Sequence, residues 1–458
     1  MSQRLYEDRI KKWKSKAITR RKKIDSLKSR NKELIDSRDY WQEKYKLEKS
    51  AHKKSLFAGK KAKGHQYNLE LVNFALELYK YGGMSLRSCR HTLVCLHMCL
   101  GLNGKIPSHS SIRNWLCKCG MYRVESTKNQ SNEYVVYVDE SISFGGEKIL
   151  LLLGVSVDAI PKDRGLLHSD MEVLGLEVAH QWKGEQIAEQ LSKIAATHTI
   201  KYVVSDEGSN LKSAYKSLNY KHIEDCTHIL ANHLKRLYNE DTDFKLFSKM
   251  IGILRQKWVV SKDNSPYMPP SMRGKMRFAN IFPCVNWAKK MLQIWDNLPS
   301  NVKEQVLFLK EKEAFITDLI EIEKIFKLVC KELKTKGFGK IQKSNILAEL
   351  ITIEEKIDSK FKPKTSVFID NVKSYLDNLE SKSKELNEEF ILCSSDIIES
   401  HFGKFKAKIN ANSRSGLTEF IFTIATFGKS FSIEETQNAL ENIKCKELKL
   451  KKTAKKAA

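Results

Sequence analysis

Two runs of β-branched and aromatic residues, Tyr134-Val135-Val136-Tyr137-Val138 and Tyr202-Val203-Val204-Ser205, each end in an aspartate, Asp139 and Asp206. Runs this short and apolar predict strands buried in a sheet, with acid at their carboxyl ends. Further strands are expected at 148–157 and 172–178, and a helix at 183–197 has Ile187, Leu191 and Ile194 on one face. Strands in succession, then alternating with helices, make 133–240 an α/β core with a mixed sheet flanked by helices. A third acid, Glu399, lies in a helical stretch at 395–402. The three acids meet only if a packed helix carries Glu399 onto the sheet.

Three converging carboxylates suit a particular chemistry. Phosphoryl transfer on a nucleic-acid strand needs an in-line nucleophile, a stabilised leaving oxygen and neutralised phosphate charge. Two Mg2+ or Mn2+ ions about 4 Å apart meet all three needs, and such hard cations take carboxylate oxygens. Asp139 is then the bridging ligand, Asp206 holds one ion and Glu399 the other. Glu140 competes with Asp139, and each residue alone has an ordinary reading: a strand-end Asp forms turns, and a helical Glu is solvated.

Charge points to the same class of partner. With 80 Lys and Arg against 55 Asp and Glu among 458 residues, the formal charge of +25 favours a polyanion, nucleic acid before membrane. A basic solubilising surface is the alternative. No apolar stretch approaches the roughly 20 residues of a membrane helix, and the first residues hold no apolar signal core, so a cytoplasmic, nucleoid-associated protein is expected. Ten scattered cysteines fit reduced thiols.

The length predicts several domains. Residues 1–58 read as a basic coiled coil or long helix. Ile10, Ala17, Ile24, Asn31 and Arg38 take one seam position, Trp13, Arg20, Leu27, Leu34 and Trp41 the other, and Asn31 suits a register-setting role. Either this segment dimerises, or it is a lone basic helix lying on DNA or on its own domain. Residues 65–125 have the order of a helix-turn-helix, whose second helix from Ser108 would present Arg113 and Asn114 to DNA. A plain three-helix bundle has the same order. His91, Cys95, Cys99, Cys117 and Cys119 lack the paired spacing of structural zinc, and core packing explains them better. Residues 241–390 read as a helical insertion, in which Trp258, Trp287 and Trp295 are taken as core; 391–430 returns to the core fold, and 431–458 is a basic tail.

These residues resemble the DDE transposases, which have an RNase H-like catalytic core. The resemblance rests on Val-Tyr-Val-Asp139-Glu, Val-Val-Ser-Asp206-Glu-Gly, Asp225-Cys226-Thr227-His228 and Ile398-Glu399-Ser400-His401-Phe402, and covers 133–428. The third of these is similar to the [Cys/Asp]-x-x-His signature of the Mutator-like and hAT-like branches. It implies Asp139, Asp206 and Glu399 as catalytic metal ligands, with Asp225 and His228 orienting DNA or flanking the metals. Asp396 stands where family members often carry Asn, which makes it a rival ligand. Lys404 and Lys406 continue the Glu399 helix with charge suited to phosphates, or form a solvated face.

The resemblance implies an insertion-sequence transposase that binds terminal inverted repeats and target DNA as double strands, and cuts and joins them with two Mg2+ or Mn2+ ions. A homodimer or higher oligomer is expected, because two element ends are held at once. The alternatives are a catalytically inactive DNA-binding regulator descended from such an enzyme and an RNase H-like nuclease.

Overall fold

The computed structural model describes residues 2–50, 59–101, 104–127, 132–144, 146–260, 262–272, 278, 280–356, 362–409 and 417–448. Most of the expected linker at 53–63 and the last ten residues of the expected tail lie outside them. The chain divides into two compact units, Met1–Ile112 and Arg113–Ala458.

In the first unit, α1 (Ser2–Ser50) is one continuous helix, free of Pro and Gly as expected of its sequence. After it, α2 (Leu69–Lys80) buries Leu69, Val72, Leu76 and Tyr79, and α3 (Leu86–Cys99) buries Cys89 and Leu93. Ser85 caps α3 through the Ser88 backbone N–H. Then α4 (His109–Ser126) begins, capped by Ser108 at the Ser111 N–H.

The second unit is built on a mixed five-stranded sheet in the order β3-β2-β1-β4-β5. Its strands are β1 (Glu133–Phe144), β2 (Glu147–Ser156), β3 (Glu172–Ala179), β4 (Thr199–Ser205) and β5 (His222–Glu224). β1 runs antiparallel to β2 and parallel to β4, so the strand bearing Asp139 is central. The two aromatic runs are buried as their composition predicts: Tyr134 to Val138 are fully buried, as are Val203 and Val204. On one face Tyr134, Val136, Val138 and Val203 join Leu150, Leu152, Ile187, Leu191, Leu211 and Tyr215 in a core formed with α5 (Gly184–Ala195) and α6 (Ser209–Ser217). Gly154 in β2 leaves room for this packing: a Cβ there would meet the Leu174 side chain at 2.5 Å.

After β5 come α7 (Cys226–Tyr238) and the expected helical stretch: α8 (Thr242–Val260), α9 (Phe282–Gln293), α10 (Ser300–Gln305), α11 (Phe308–Glu311), α12 (Glu313–Lys336), α13 (Lys340–Lys356) and α14 (Lys362–Leu386). Trp258 is fully buried there and donates to Gln305 Oε1, which fits its reading as core, whereas Trp287, which donates to the Tyr267 carbonyl, and Trp295 are half-buried. α12 ends at Gly337, whose φ of +64° turns the chain into a two-residue strand, β6 (Phe338–Gly339), paired with β7 (Phe390–Ile391). That pairing returns the chain to the sheet, and α15 (Asp396–Lys408) follows.

α4, the expected second helix of the helix-turn-helix, buries Ile112, Trp115, Leu116, Cys117 and Cys119, and its Lys118 donates to the Leu440 carbonyl, while His109 and Ser110 at its start are exposed. One expectation is corrected here: residues 431–448 are not a tail, since α16 (Ile433–Asn442) buries Thr436, Ala439 and Leu440 and holds Arg123 through Glu435 at 2.6 Å. Among the described residues, no helix is long and apolar enough to cross a membrane.

Candidate functional site

β1 and β4 place the two aspartates side by side. Tyr137 pairs with Val204, and Asp139 and Asp206 each lie two residues beyond that pair, Asp139 within β1 and Asp206 just past the end of its parallel neighbour β4. Strand spacing of about 4.8 Å puts their backbones within one strand of each other. Period-2 alternation turns both away from the α5 and α6 core, onto the face that carries Tyr137 and Tyr202. Asp206 Oδ1 accepts from the Gly208 N–H at 2.9 Å, a local turn that opens α6. Glu140 points to the opposite face of β1, where it pairs with Lys148 of β2 at 3.5 Å.

Glu399 reaches these aspartates by way of α15. Burial first, and then the Asp206 and Glu399 carboxylates, push the Asp139 carboxyl up to about 7. α15, which carries Glu399, packs against β1. Burial also raises Glu399, with the His228 imidazole opposing. Of the two candidate third acids, Asp396 is engaged elsewhere: Lys334 of α12 contacts its Oδ1 at 2.9 Å and its Oδ2 at 2.7 Å.

Asp225 fastens the glutamate helix to the sheet. It is fully buried at the N-cap of α7, where its Oδ1 accepts from the His228 backbone N–H and ring Nδ1, both at 2.9 Å. Its Oδ2 accepts from the backbone N–H of Ser395 at 2.7 Å and from the Ser395 hydroxyl at 3.1 Å. Ser395 is the N-cap of α15, so one carboxylate joins the starts of both helices. The Cys226 N–H donates to the Cys393 carbonyl beside it. Four donors offset the cost of burying the charge. Burial opposes the Asp225 charge, but His228 and the Ser395 N–H together hold its carboxyl below the usual carboxylate range. Its hydrogen bond lifts His228 to about 9, so this imidazole is cationic at neutral pH and faces the three acids.

A second clasp holds the same helix. His168, in the β2–β3 connection, lies 2.9 Å from His401 Nδ1 and 3.0 Å from Ser400 Oγ. His401 is buried, and burial first, then His168, keeps its ring neutral by lowering it to about 3. No pattern in the sequence marked His168. Asp225 was legible only as part of a family signature, although an Asp three residues before a His at a helix start is itself a capping signal.

The expected DNA-contacting residues fare differently. Arg113 is tied to Glu419 at 2.8 Å and lies over the Phe420 ring, so its guanidinium is committed within the fold. Asn114, beside it, is half-buried. Lys406 is exposed in the last turn of α15 and Lys404, two residues earlier, is half-buried. Burial lifts the Cys117 and Cys119 thiols to about 12, in keeping with packing, whereas His91, Cys95 and Cys99 are exposed, so core packing does not account for them.

Among the described residues, no group of three His, Cys, Asp or Glu side chains is closed tightly enough to hold a metal ion. By residue type the expected donors suit hard divalent cations, since all three are carboxylates, and Asp139 is held protonated to about pH 7 by burial and by the charges of the other two. No protein-family model matches the chain, and no curated protein matches it.

Proposed function

We propose that the chain is a DDE-type transposase of an insertion sequence, a two-metal polynucleotidyl transferase on an RNase H-like core that cleaves DNA strands and joins them to target DNA. One observation carries this reading. The carboxylates of Asp206, at the end of the parallel neighbour strand, and of Glu399, on a distant helix that packs against β1, both act on Asp139 of the central strand. The mixed sheet, the helical stretch before Glu399 and the charge of +25 support it.

Asp139, Asp206 and Glu399 would hold two Mg2+ or Mn2+ ions, which when bound supply an activated water or 3′-hydroxyl and neutralise phosphate charge. The protein's own part is placement. The sheet holds both aspartates at one level, Asp225 and His168 hold the Glu399 helix against them, and the His228 imidazolium offsets the acids' mutual repulsion. Lys404 and Lys406 lie further along the same helix, where phosphates leaving the acids would pass. Double-stranded DNA is the partner, and holding two element ends calls for more than one copy of the chain.

The test uses the full chain, Mn2+, and duplexes made from the DNA that flanks the reading frame, both intact and pre-cut. Joined products are expected. Asp139→Ala, Asp206→Ala and Glu399→Ala are each expected to lower cleavage by at least about a thousandfold with DNA binding retained. Hydrolysis without joining would mark a nuclease, binding without either a regulator, and full cleavage by any of the three variants would overturn the assignment.

A further inference from the structure

We infer that α1 docks an acidic amphipathic helix of another protein, and does not pair with a second copy of itself. Every residue from 13 to 42 is exposed. Trp13, Ile24, Leu27, Leu34 and Trp41, all at seam positions of the heptad pattern, are each more than half exposed. A seam of this kind is covered by another helix in knobs-into-holes packing.

The rows beside the seam decide which helix. One flank carries Lys14, Arg21 and Lys28, and the other carries Lys16, Lys23 and Arg30. The acids of this stretch, Asp25, Glu33, Asp36 and Asp39, all fall on the outward positions. In a parallel self-pair, Lys16 of one copy meets Arg21 of the other and Lys23 meets Lys28, while Arg20 and Arg38 face their own counterparts across the seam. Reversing one helix sets each flank against itself, again cation to cation. Flank charges set partner choice in coiled coils, and these exclude the same sequence as partner.

A duplex would neutralise both rows but leave the leucines and tryptophans in water. A helix with an apolar seam and Glu or Asp along both flanks satisfies seam and rows together. Such docking is independent of the phosphoryl-transfer reading, and its test involves no catalysis.

The probes are two peptides of about five heptads, with Ile and Leu at the seam and either Glu or Lys along both flanks, and a short duplex. Binding to the full chain is read by fluorescence anisotropy and stoichiometry by sedimentation. The Glu-flanked peptide is expected to bind one to one, and the Lys-flanked one at least about tenfold more weakly. Leu27→Asp with Leu34→Asp is expected to weaken the Glu-flanked peptide by a similar factor, with helicity checked by circular dichroism. Lys16→Glu with Lys23→Glu is expected to narrow the preference between the peptides. Equal binding of both peptides, or indifference to the seam variant, would overturn the inference. So would a chain whose dimer is lost with that variant, or a duplex that displaces the peptide from the seam.

Discussion

The two halves of the acidic cluster are held in different ways. Asp139 and Asp206 are placed by neighbouring strands whose preceding residues, Tyr134 to Val138 and Tyr202 to Ser205, are buried, so their positions follow from sheet register. Glu399 is placed by a helix whose start is fastened through one buried carboxylate, Asp225, and whose middle rests on His168. Placement by register draws on many residues, whereas placement by a latch depends on two or three. The glutamate side should therefore yield first to single changes, although on the two-metal reading all three acids serve the same chemistry.

The largest effect should come from breaking the latch. Asp225→Ala leaves the His228 cation and the Ser395 N–H without their shared partner, and is expected to cost about 3–5 kcal/mol in urea denaturation. Metal-dependent cleavage should fall with it. Asp225→Asn, which keeps an N-cap acceptor, should lose less stability. If Asp225→Ala leaves both stability and cleavage unchanged, the latch does not place Glu399.

Acidity offers a milder way to loosen it. His228 is raised, so its contribution is complete below the ordinary histidine range and is lost as pH climbs through about 9. Asp225 is lowered, so its contribution holds above the ordinary aspartate range and fades as pH falls below it. The pair should thus stabilise the fold on a plateau from mildly acidic pH to about 9. Asp225→Asn should flatten the alkaline limb of a stability profile measured by thermal melts, and an unchanged limb would mean the pair contributes nothing there.

The smallest effect belongs to Asp396. Its partner Lys334 is partly exposed, and exposed ion pairs are worth about 0–1 kcal/mol. Asp396→Ala should shift stability within that range and leave most of the cleavage rate. Loss of cleavage equal to that of Glu399→Ala would transfer the third position to Asp396.

The same contrast explains what could be read in the sequence. The strands bearing Asp139 and Asp206 were legible because a buried strand declares itself within a few residues, and observed β1 and β4 contain the expected runs. The three-residue β5 went unseen, being too short for a periodic signal. Helical periodicity found the α8 to α14 stretch and the glutamate helix. It also found the helix that carries Arg113, but the pattern cannot show that Arg113 pairs with Glu419, far away in the chain. The latch was hidden for the same reason: Asp225 and Ser395 are joined by tertiary folding alone.

Those two residues stand 170 positions apart. At synthesis rates of about 5–20 residues per second, roughly 10–30 s pass after Asp225 is made before Ser395 follows. During that interval a nascent chain already holds both strand aspartates but lacks the helix that carries the third acid. An unfinished copy, or one cut short within the α8 to α14 stretch, has the acidic strands without Glu399, so on the two-metal reading it has no means of breaking DNA.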